Sequence, residues 1–334
     1  MMNTGGHVDA EFENVVAHFP PLQFEDPAAQ RATFAAMRAT APPPRLPEDV
    51  ETHYDCSIPL GDGHQVPVRI HVPRDLAHDA PTLVWIHGGG YVVGTADEDD
   101  ALCARIASDI GIGVVSVEYR LAPEHPFPQG LDDCHAVVSA LVDAHRAGTL
   151  ALLGTGKVVI GGGSAGAGLA AAVALRLRDE GRLALAGQIL LYPFIDSTLR
   201  SPSMTSFADS AIFNAHDAEV CWEHYLGDQR FTPPVYGSPT AATDLSGLPP
   251  AYVAAAGADC LHDEAVDYAL RMRAAGVSVE LHSFADVPHG FTGVAPWTTA
   301  SRRAIAGVVD AIRRFSGLQE VSPPTPALAA AHEE

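Results

Sequence analysis

Eight short β-type runs mark this chain, and helical stretches separate most of them. The later runs are continuously apolar, as expected for parallel strands that are covered on both faces. Strands that alternate with helices imply βαβ crossovers, and the first two runs are close enough to pair as an antiparallel hairpin at one edge. We therefore predict an α/β fold with a mostly parallel eight-stranded sheet and helices on both faces. The strands are HYDCSIPL, VPVRIHV, TLVWIH, GVVSVEY, KVVIGG, QILLY, AYVAAAG and SVELHSF, and the helices lie near 97–111, 130–147, 165–181, 263–276 and 298–316.

Two segments depart from this alternation. Residues 1–47 are helical in pattern and then proline-rich, and residues 196–238 carry helical patches but no strand. We expect both to belong to a helical cap on a core formed by residues 48–195 and 239–317. The Pro/Ala-rich tail, 318–334, is predicted to be disordered.

Charge and cysteine content exclude several classes of protein. The chain has 20 Lys and Arg against 41 Asp and Glu, a net charge of −21, which disfavours binding to nucleic acid or to an anionic membrane. It shows neither an apolar run that could cross a bilayer nor a signal-peptide pattern at its start. The five cysteines are odd in number and lack a C-x-x-C pair, so we expect free buried thiols and a cytoplasmic protein. The sequence has no HExxH zinc motif and no clustered ligand spacing, so we expect neither a metal nor a cofactor. The sequence leaves open whether the protein forms a homodimer.

One glycine-rich turn, in KVVIGGGSAGAGLAAAVAL at residues 157–175, fits two chemistries. Gly161-x-Gly163-x-x-Gly166 matches the dinucleotide-binding fingerprint. Gly162-x-Ser164-x-Gly166 matches the nucleophile elbow of a serine hydrolase. The remainder of the chain has to distinguish between them.

The dinucleotide interpretation lacks its second element. An acidic residue is expected about 20 positions beyond the glycines, at the end of the next strand. The first acidic residue after that strand is Asp196, which lies 30 positions beyond Gly166. A lone glycine fingerprint is therefore weak support for a nucleotide site.

All the elements that a serine hydrolase requires besides the nucleophile are present, in the required order along the chain. His87-Gly88-Gly89-Gly90 follows an apolar strand, where bare glycines let backbone N–H groups approach a substrate oxygen. Asp259 and His289 follow the last two strands. Strand ends are where open α/β sheets build their sites, so we favour the hydrolase.

With these motifs the chain resembles the hormone-sensitive-lipase-like branch of the α/β hydrolases, especially its bacterial carboxylesterases. The resemblance covers residues 50–316 and rests on HGGG, YRLAPEHPFP, GGSAG, D-x-L-x-D-E and HGF. It implies the α/β-hydrolase fold and carboxylic ester hydrolysis. Gly163 and Cys260 depart from the family pattern, which has aspartate and proline there, and neither departure removes a reacting atom.

The chemistry of the motif assigns the catalytic roles. Ser164 is the predicted nucleophile, His289 its general base and Asp259 the carboxylate that orients the imidazole. The N–H groups of Gly88, Gly89 and Ala165 form the predicted oxyanion hole. Asp263 competes with Asp259 as the acid, but its place at a helix start suits capping better.

The pocket and the supporting residues are predicted less directly. Candidate wall residues are aromatic: Tyr91, Phe34, Phe207, Phe213 and Trp222. A cap closed over the strand ends would favour short acyl esters, such as acetyl to hexanoyl. Other expectations are that His87 orients the glycine loop, that Arg120 and Glu124 form an ion pair, and that Cys260 is a buried filler.

Two alternatives to an esterase stay open at this level. The same triad cleaves amides and peptides, so the sequence does not separate an amidase or peptidase from an esterase. A non-catalytic small-molecule receptor on the same fold is the other, but the receptors of this type lack the triad histidine. The presence of His289 argues against that interpretation.

Overall fold

A computed structural model describes residues 8–40, 42–43, 45–60, 63–148 and 153–318. Within them, the eight predicted strands form one sheet. The strands are Val50–Pro59 (β1), Gln65–Pro73 (β2), Thr82–Ile86 (β3), Gly113–Val117 (β4), Val158–Gly163 (β5), Leu185–Leu191 (β6), Ala251–Ala256 (β7) and Val279–Phe284 (β8). The predicted disordered tail lies outside the described residues from position 319 onward.

Ten α-helices lie in the described residues, and five of them match the predicted stretches 97–111, 130–147, 165–181, 263–276 and 298–316 to within a few residues. They are Ala10–His18 (α1), Pro27–Thr40 (α2), Asp100–Ile110 (α3), Gln129–Ala147 (α4), Ala165–Asp179 (α5), Pro202–Ser206 (α6), Ala215–Leu226 (α7), His262–Ala274 (α8), Phe291–Val294 (α9) and Thr299–Ser316 (α10). Short 3-10 helices occupy Ala96–Asp99, Gly227–Phe231 and Pro239–Ala241. Residues 196–238 contain no strand, as predicted.

The sheet has the order β1-β2-β4-β3-β5-β6-β7-β8. β1 and β2 pair antiparallel at the edge, β2 also runs antiparallel to β4, and the strands from β4 to β8 are parallel. The predicted mostly parallel sheet with an edge hairpin is confirmed. Because the parallel strands share one direction, the loops after β3, β5, β7 and β8 emerge at the same edge.

The core lies on both faces of the sheet. In β3, Leu83 and Trp85 pack with α3 and α10, whereas Val84 and Ile86 pack with α4, α5 and α8. All five β3 residues are buried, which explains why this strand is continuously apolar rather than alternating. Helices on both faces were predicted and are confirmed.

The predicted Arg120–Glu124 ion pair is wrong. Arg120 instead binds Asp133 of α4 through Nε and Nη2, at 2.9 Å and 2.6 Å, and its backbone N–H donates to the same carboxylate. Asp133 is fully buried, whereas the Glu124 side chain is 55% exposed and pairs with Arg31. Because a buried carboxylate has to be paired, the Arg120 guanidinium binds the buried Asp133 rather than the exposed Glu124.

The described part of the chain also bears on the remaining expectations. No helix there is long and apolar enough to cross a membrane. Within the same residues, no group of three or more His, Cys, Asp or Glu side chains is placed to hold a metal ion. All five cysteines are free thiols, but Cys56 is only half-buried, because it lies on the edge strand β1.

Candidate active site

The turn between β5 and α5 holds Ser164 in a strained backbone conformation. Its φ of 55° and ψ of −122° are rare for a residue with a side chain. Hydrogen bonds hold the turn in place: the Ser164 N–H donates to Leu191 O at 2.9 Å, and Ser164 O accepts from Gly168 and Phe194. The side chain makes no helix-capping bond, so Ser164 is not a simple N-cap of α5. Strain of this kind clusters at functional sites.

Close packing explains the glycine two residues later. A Cβ on Gly166 would lie 2.0 Å from Ile86 O, so no other residue lets α5 start directly against β3. This contact places the elbow beside the loop that follows β3. The last glycine of the pattern that resembles a dinucleotide fingerprint therefore serves helix–strand packing here.

A hydrogen-bonded chain links Ser164, His289 and Asp259. Ser164 Oγ lies 2.9 Å from His289 Nε2, and His289 Nδ1 lies 2.7 Å from Asp259 Oδ2. The second Asp259 oxygen accepts the Leu261 N–H at 3.0 Å. With Nδ1–H donated to the carboxylate, Nε2 is left to accept the serine proton. Asp259 is fully buried, and the other two residues are 6% exposed.

Asp263, the rival acid, does not contact His289. Its Oδ2 accepts the Ser203 N–H at 2.9 Å, its own N–H donates to Ser203 Oγ, and Ser203 Oγ–H donates to Cys260 O. This reciprocal arrangement ties α6 to the turn that carries Asp259. Glu264 connects α8 to the segment after β6, since its Oε1 accepts the N–H groups of Ile195 and Asp196. Burial raises the pKa of the Glu264 carboxyl.

Two aromatic rings enclose the imidazole of His289. The Tyr192 ring packs edge-on at 5.2 Å, and the Phe213 ring lies 5.0 Å away on centroids. Tyr192 Oη and Thr292 Oγ1 are hydrogen-bonded at 2.6 Å. A Cβ on Gly163 would be 3.3 Å from the Tyr192 ring, so the departure at position 163 leaves room for that ring.

The glycine loop after β3 lies against the elbow. A Cβ on Gly88 would be 3.4 Å from Ser164 Cβ, which shows how closely the two backbones approach. Gly89 has a φ of 112°, and a Cβ there would lie 2.1 Å from Val93 O, so only glycine fits. The loop can therefore present bare N–H groups beside the serine hydroxyl.

His87 fixes the orientation of the first peptide in this loop, as predicted. Its Nδ1–H donates to Gly88 O at 2.8 Å, and its ring stacks on Tyr119 at 4.3 Å. In a trans peptide the N–H points opposite to the C=O, so this bond also sets the direction of the Gly89 N–H. Burial lowers the pKa of His87 to about 4, which keeps the imidazole neutral at neutral pH.

The five predicted wall residues lie at different depths. Phe213 contacts His289 directly, and Phe194 connects it to the other buried rings: Phe194 lies 5.5 Å from Phe213 and 4.5 Å from Trp222. Tyr91 stacks on Tyr225 in that deeper layer. Phe34 and Phe207 are half-buried against the same cluster.

Sequence reasoning missed three contributors to the site: Tyr192 beside the imidazole, Ser203 beneath the acid turn, and Arg31 behind the glycine loop. Arg31 donates to Val92 O, Ala122 O and Glu124 from 61 to 93 positions away in the chain. No local pattern signals a contact across such a distance. Only the packed structure reveals these residues.

Comparisons with known proteins agree on one family. A family model described as alpha/beta hydrolase fold matches residues 83–293. Carboxylic ester hydrolase LipN of Mycobacterium tuberculosis is 37% identical over 86% of this chain and 76% of that protein. Ethyl acetate hydrolase of Pseudomonas putida is 33% identical over 78% of this chain and 82% of that protein.

A solved structure extends the likeness to the whole fold. The bacterial heroin esterase superposes with a TM-score of 0.85 at 38% identity. The match covers 94% of this chain and 99% of that one.

The buried His87 leads to a prediction about stability and pH. Its pKa is lower in the folded protein than the ordinary 6.5, so the unfolded chain takes up a proton first as the pH falls. The stability that neutral His87 contributes is complete above pH 6.5 and is lost as the pH falls through about 4, a total of roughly 3 kcal/mol. His87→Phe keeps a stacked ring but cannot titrate. In urea unfolding from pH 7 to 4, the wild type should lose roughly 3 kcal/mol more than this variant; parallel curves would contradict the assignment.

Proposed function

This chain belongs to the α/β-hydrolase family, and we propose on that basis that it hydrolyses carboxylic esters of short acyl chains. Ser164, His289 and Asp259 would act as one catalytic unit through an acyl-enzyme intermediate. The observation that carries this proposal is the continuous hydrogen-bonded chain from Ser164 Oγ to Asp259, beside a glycine loop with bare N–H groups.

The first half of the reaction forms the acyl-enzyme. Ser164 Oγ attacks the ester carbonyl carbon while His289 Nε2 takes the hydroxyl proton. The C–O bond to the alcohol then breaks, and His289 returns the proton to the leaving oxygen. Asp259 holds the Nδ1–H tautomer and stabilises the imidazolium that forms in between.

The second half releases the acid. A water molecule attacks the acyl carbonyl as His289 takes its proton, and Ser164 leaves with that proton restored. In both halves the negative charge on the carbonyl oxygen would be bound by the N–H groups of Gly88, Gly89 and Ala165. Each such donor is typically worth about 3–4 kcal/mol, and the N-terminus of α5 adds its positive dipole end.

A preference for short chains is supported by what fills the space around the site. The Phe213 ring lies on the imidazole of His289, and the Phe24 ring packs edge-on against the Phe213 ring at 5.9 Å between centroids. Behind the glycine loop, a Cβ on Gly90 would lie 2.4 Å from Cys221 Sγ. These contacts would restrict the space for a long acyl chain near the reacting atoms.

The same contacts support a cap built from two parts of the chain. Phe24 of the N-terminal segment contacts Phe213 of the inserted segment, and His224 donates to Phe24 O at 2.9 Å. We assign residues 1–47 and 196–238 to this cap, which leaves Ser164 and His289 only 6% exposed. A closed pocket excludes water and limits chain length. The similarity to a protein named ethyl acetate hydrolase agrees with a small ester as substrate.

Substitutions in the catalytic unit test the mechanism. Ser164→Ala and His289→Ala should each lower kcat by about ten-thousandfold or more, and Asp259→Asn by a similar factor, because it favours the wrong tautomer. Asp263→Asn is the matched control, since Asp263 binds Ser203 rather than His289 and should cost far less. The assays use p-nitrophenyl acetate, with thermal unfolding to show that each variant is folded. A greater loss of kcat in Asp263→Asn than in Asp259→Asn would refute the assignment of the acid.

A series of p-nitrophenyl esters from acetate to palmitate tests the pocket. Each methylene adds about 0.8 kcal/mol while it finds apolar contact and nothing once the pocket is full. We expect kcat/KM to peak between acetate and hexanoate. Phe213→Leu should move the peak to longer chains, whereas Phe231→Leu, whose ring is 69% exposed, should not. A maximum of kcat/KM at dodecanoate or beyond in the wild type would contradict the closed pocket.

Parallel assays on anilides and peptides separate an esterase from an amidase.

A further inference from the structure

Arg31 of α2 holds the backbone of the loop that follows the HGGG glycines. Its Nε and Nη2 both donate to Val92 O, at 2.9 Å and 2.7 Å. Nη2 also donates to Ala122 O at 2.8 Å, and two further bonds reach the Glu124 carboxylate, each at 2.8 Å. One side chain therefore joins α2 to two loops of the core.

Val92 is connected directly to the glycine loop. The N–H groups of Val92 and Val93 both donate to Gly89 O, at 3.0 Å and 2.9 Å. These bonds close a tight turn whose outer carbonyl, Val92 O, is the one that Arg31 binds. A shift of Val92 therefore moves the Gly89–Gly90 peptide, which follows directly on Gly88, the glycine of this loop whose backbone lies closest to Ser164.

Arg38, on the same helix, provides a natural comparison. It lies seven residues beyond Arg31, close to two helical turns, and so on the same face. It pairs with Glu98 and lies 4.0 Å from Asp97. These are side-chain contacts at a surface where both partners are about a third exposed, so they contribute little. Arg31 differs because it binds main-chain oxygens of the loop itself.

We propose that Arg31 is a positioning residue of the oxyanion hole. It holds Val92 O, and through the 89–93 turn it keeps the Gly88 and Gly89 N–H groups directed at the carbonyl oxygen of the substrate. Arginine suits this place because its planar guanidinium reaches two carbonyls and a carboxylate at once, whereas the three donors of lysine all lie on one nitrogen. The proposal rests on the proposed ester hydrolysis, in which those N–H groups bind the oxyanion.

The expected effect appears in turnover rather than in substrate binding. A displacement of about 1 Å at a catalytic group can cost about a hundredfold in rate. Arg31→Ala should lower kcat about ten- to a hundredfold, with KM changed less than about threefold, because the donors act mainly on the transition state. Arg31→Lys should lie between this variant and the wild type.

A thionoester comparison isolates the oxyanion hole from general damage. Replacing the carbonyl oxygen of the substrate by sulfur gives a larger atom that accepts hydrogen bonds more weakly. The ratio of kcat/KM for ester to thionoester therefore reports how well the N–H donors are placed. It should be high in the wild type and fall about tenfold in Arg31→Ala, toward the value expected without well-placed donors. Arg38→Ala and Glu124→Gln are the controls and should keep the wild-type ratio, since the bonds to Val92 O and Ala122 O remain.

Two outcomes would overturn the proposal, and a third would reach further. If Arg31→Ala lowers the melting temperature and reduces kcat/KM for the ester and the thionoester by the same factor, the role of Arg31 is general stability. If the ratio in Arg31→Ala stays within twofold of the wild type, the glycine loop does not depend on Arg31. If the wild type hydrolyses neither substrate, the proposed function fails and this proposal fails with it.

Discussion

The contact on which the site depends is the close approach of α5 to β3. Gly166 lies so near to Ile86 O that a single added carbon cannot be accommodated, and Ser164, two residues earlier, has a positive φ. This packing brings the loop after β5 against the loop after β3, so that the serine hydroxyl meets the glycine backbone. The strain at Ser164 is sustained by the surrounding hydrogen bonds and by a core that is buried on both faces of the sheet.

Parallel strands then bring together residues that are far apart in sequence. His289 follows β8 and Asp259 follows β7, and because these strands run in the same direction as β5, their loops reach the same edge. Each loop is further tied by segments outside the sheet. Ser203 of the inserted segment binds the turn that carries Asp259, and Arg31 of α2 binds the turn after the glycines. The segments that we assign to the cap thus contact the loops on both sides of the proposed catalytic residues.

The sequence predicted those parts of the molecule that local chemistry dictates. Apolar runs gave the strands, and short motifs such as GGSAG and HGGG gave the residues that the structure brings together. Long-range pairings were not readable in the same way. Arg120 and Glu124 are close in sequence and opposite in charge, yet Arg120 pairs with Asp133, since pairing is decided by burial in the fold. The contacts of Tyr192 and Arg31 were also not predictable, because only the fold brings their partners close to them.

The most direct test of the central claim is mass spectrometry after treatment with a fluorophosphonate, alongside a binding titration with NAD(H) and NADP(H). If Ser164 is a nucleophile activated by His289, the protein should gain one adduct, located by peptide mapping on Ser164, and His289→Ala should abolish it. The nucleotides should give no saturable signal. Saturable nucleotide binding at micromolar concentration with no adduct on Ser164 would contradict this account.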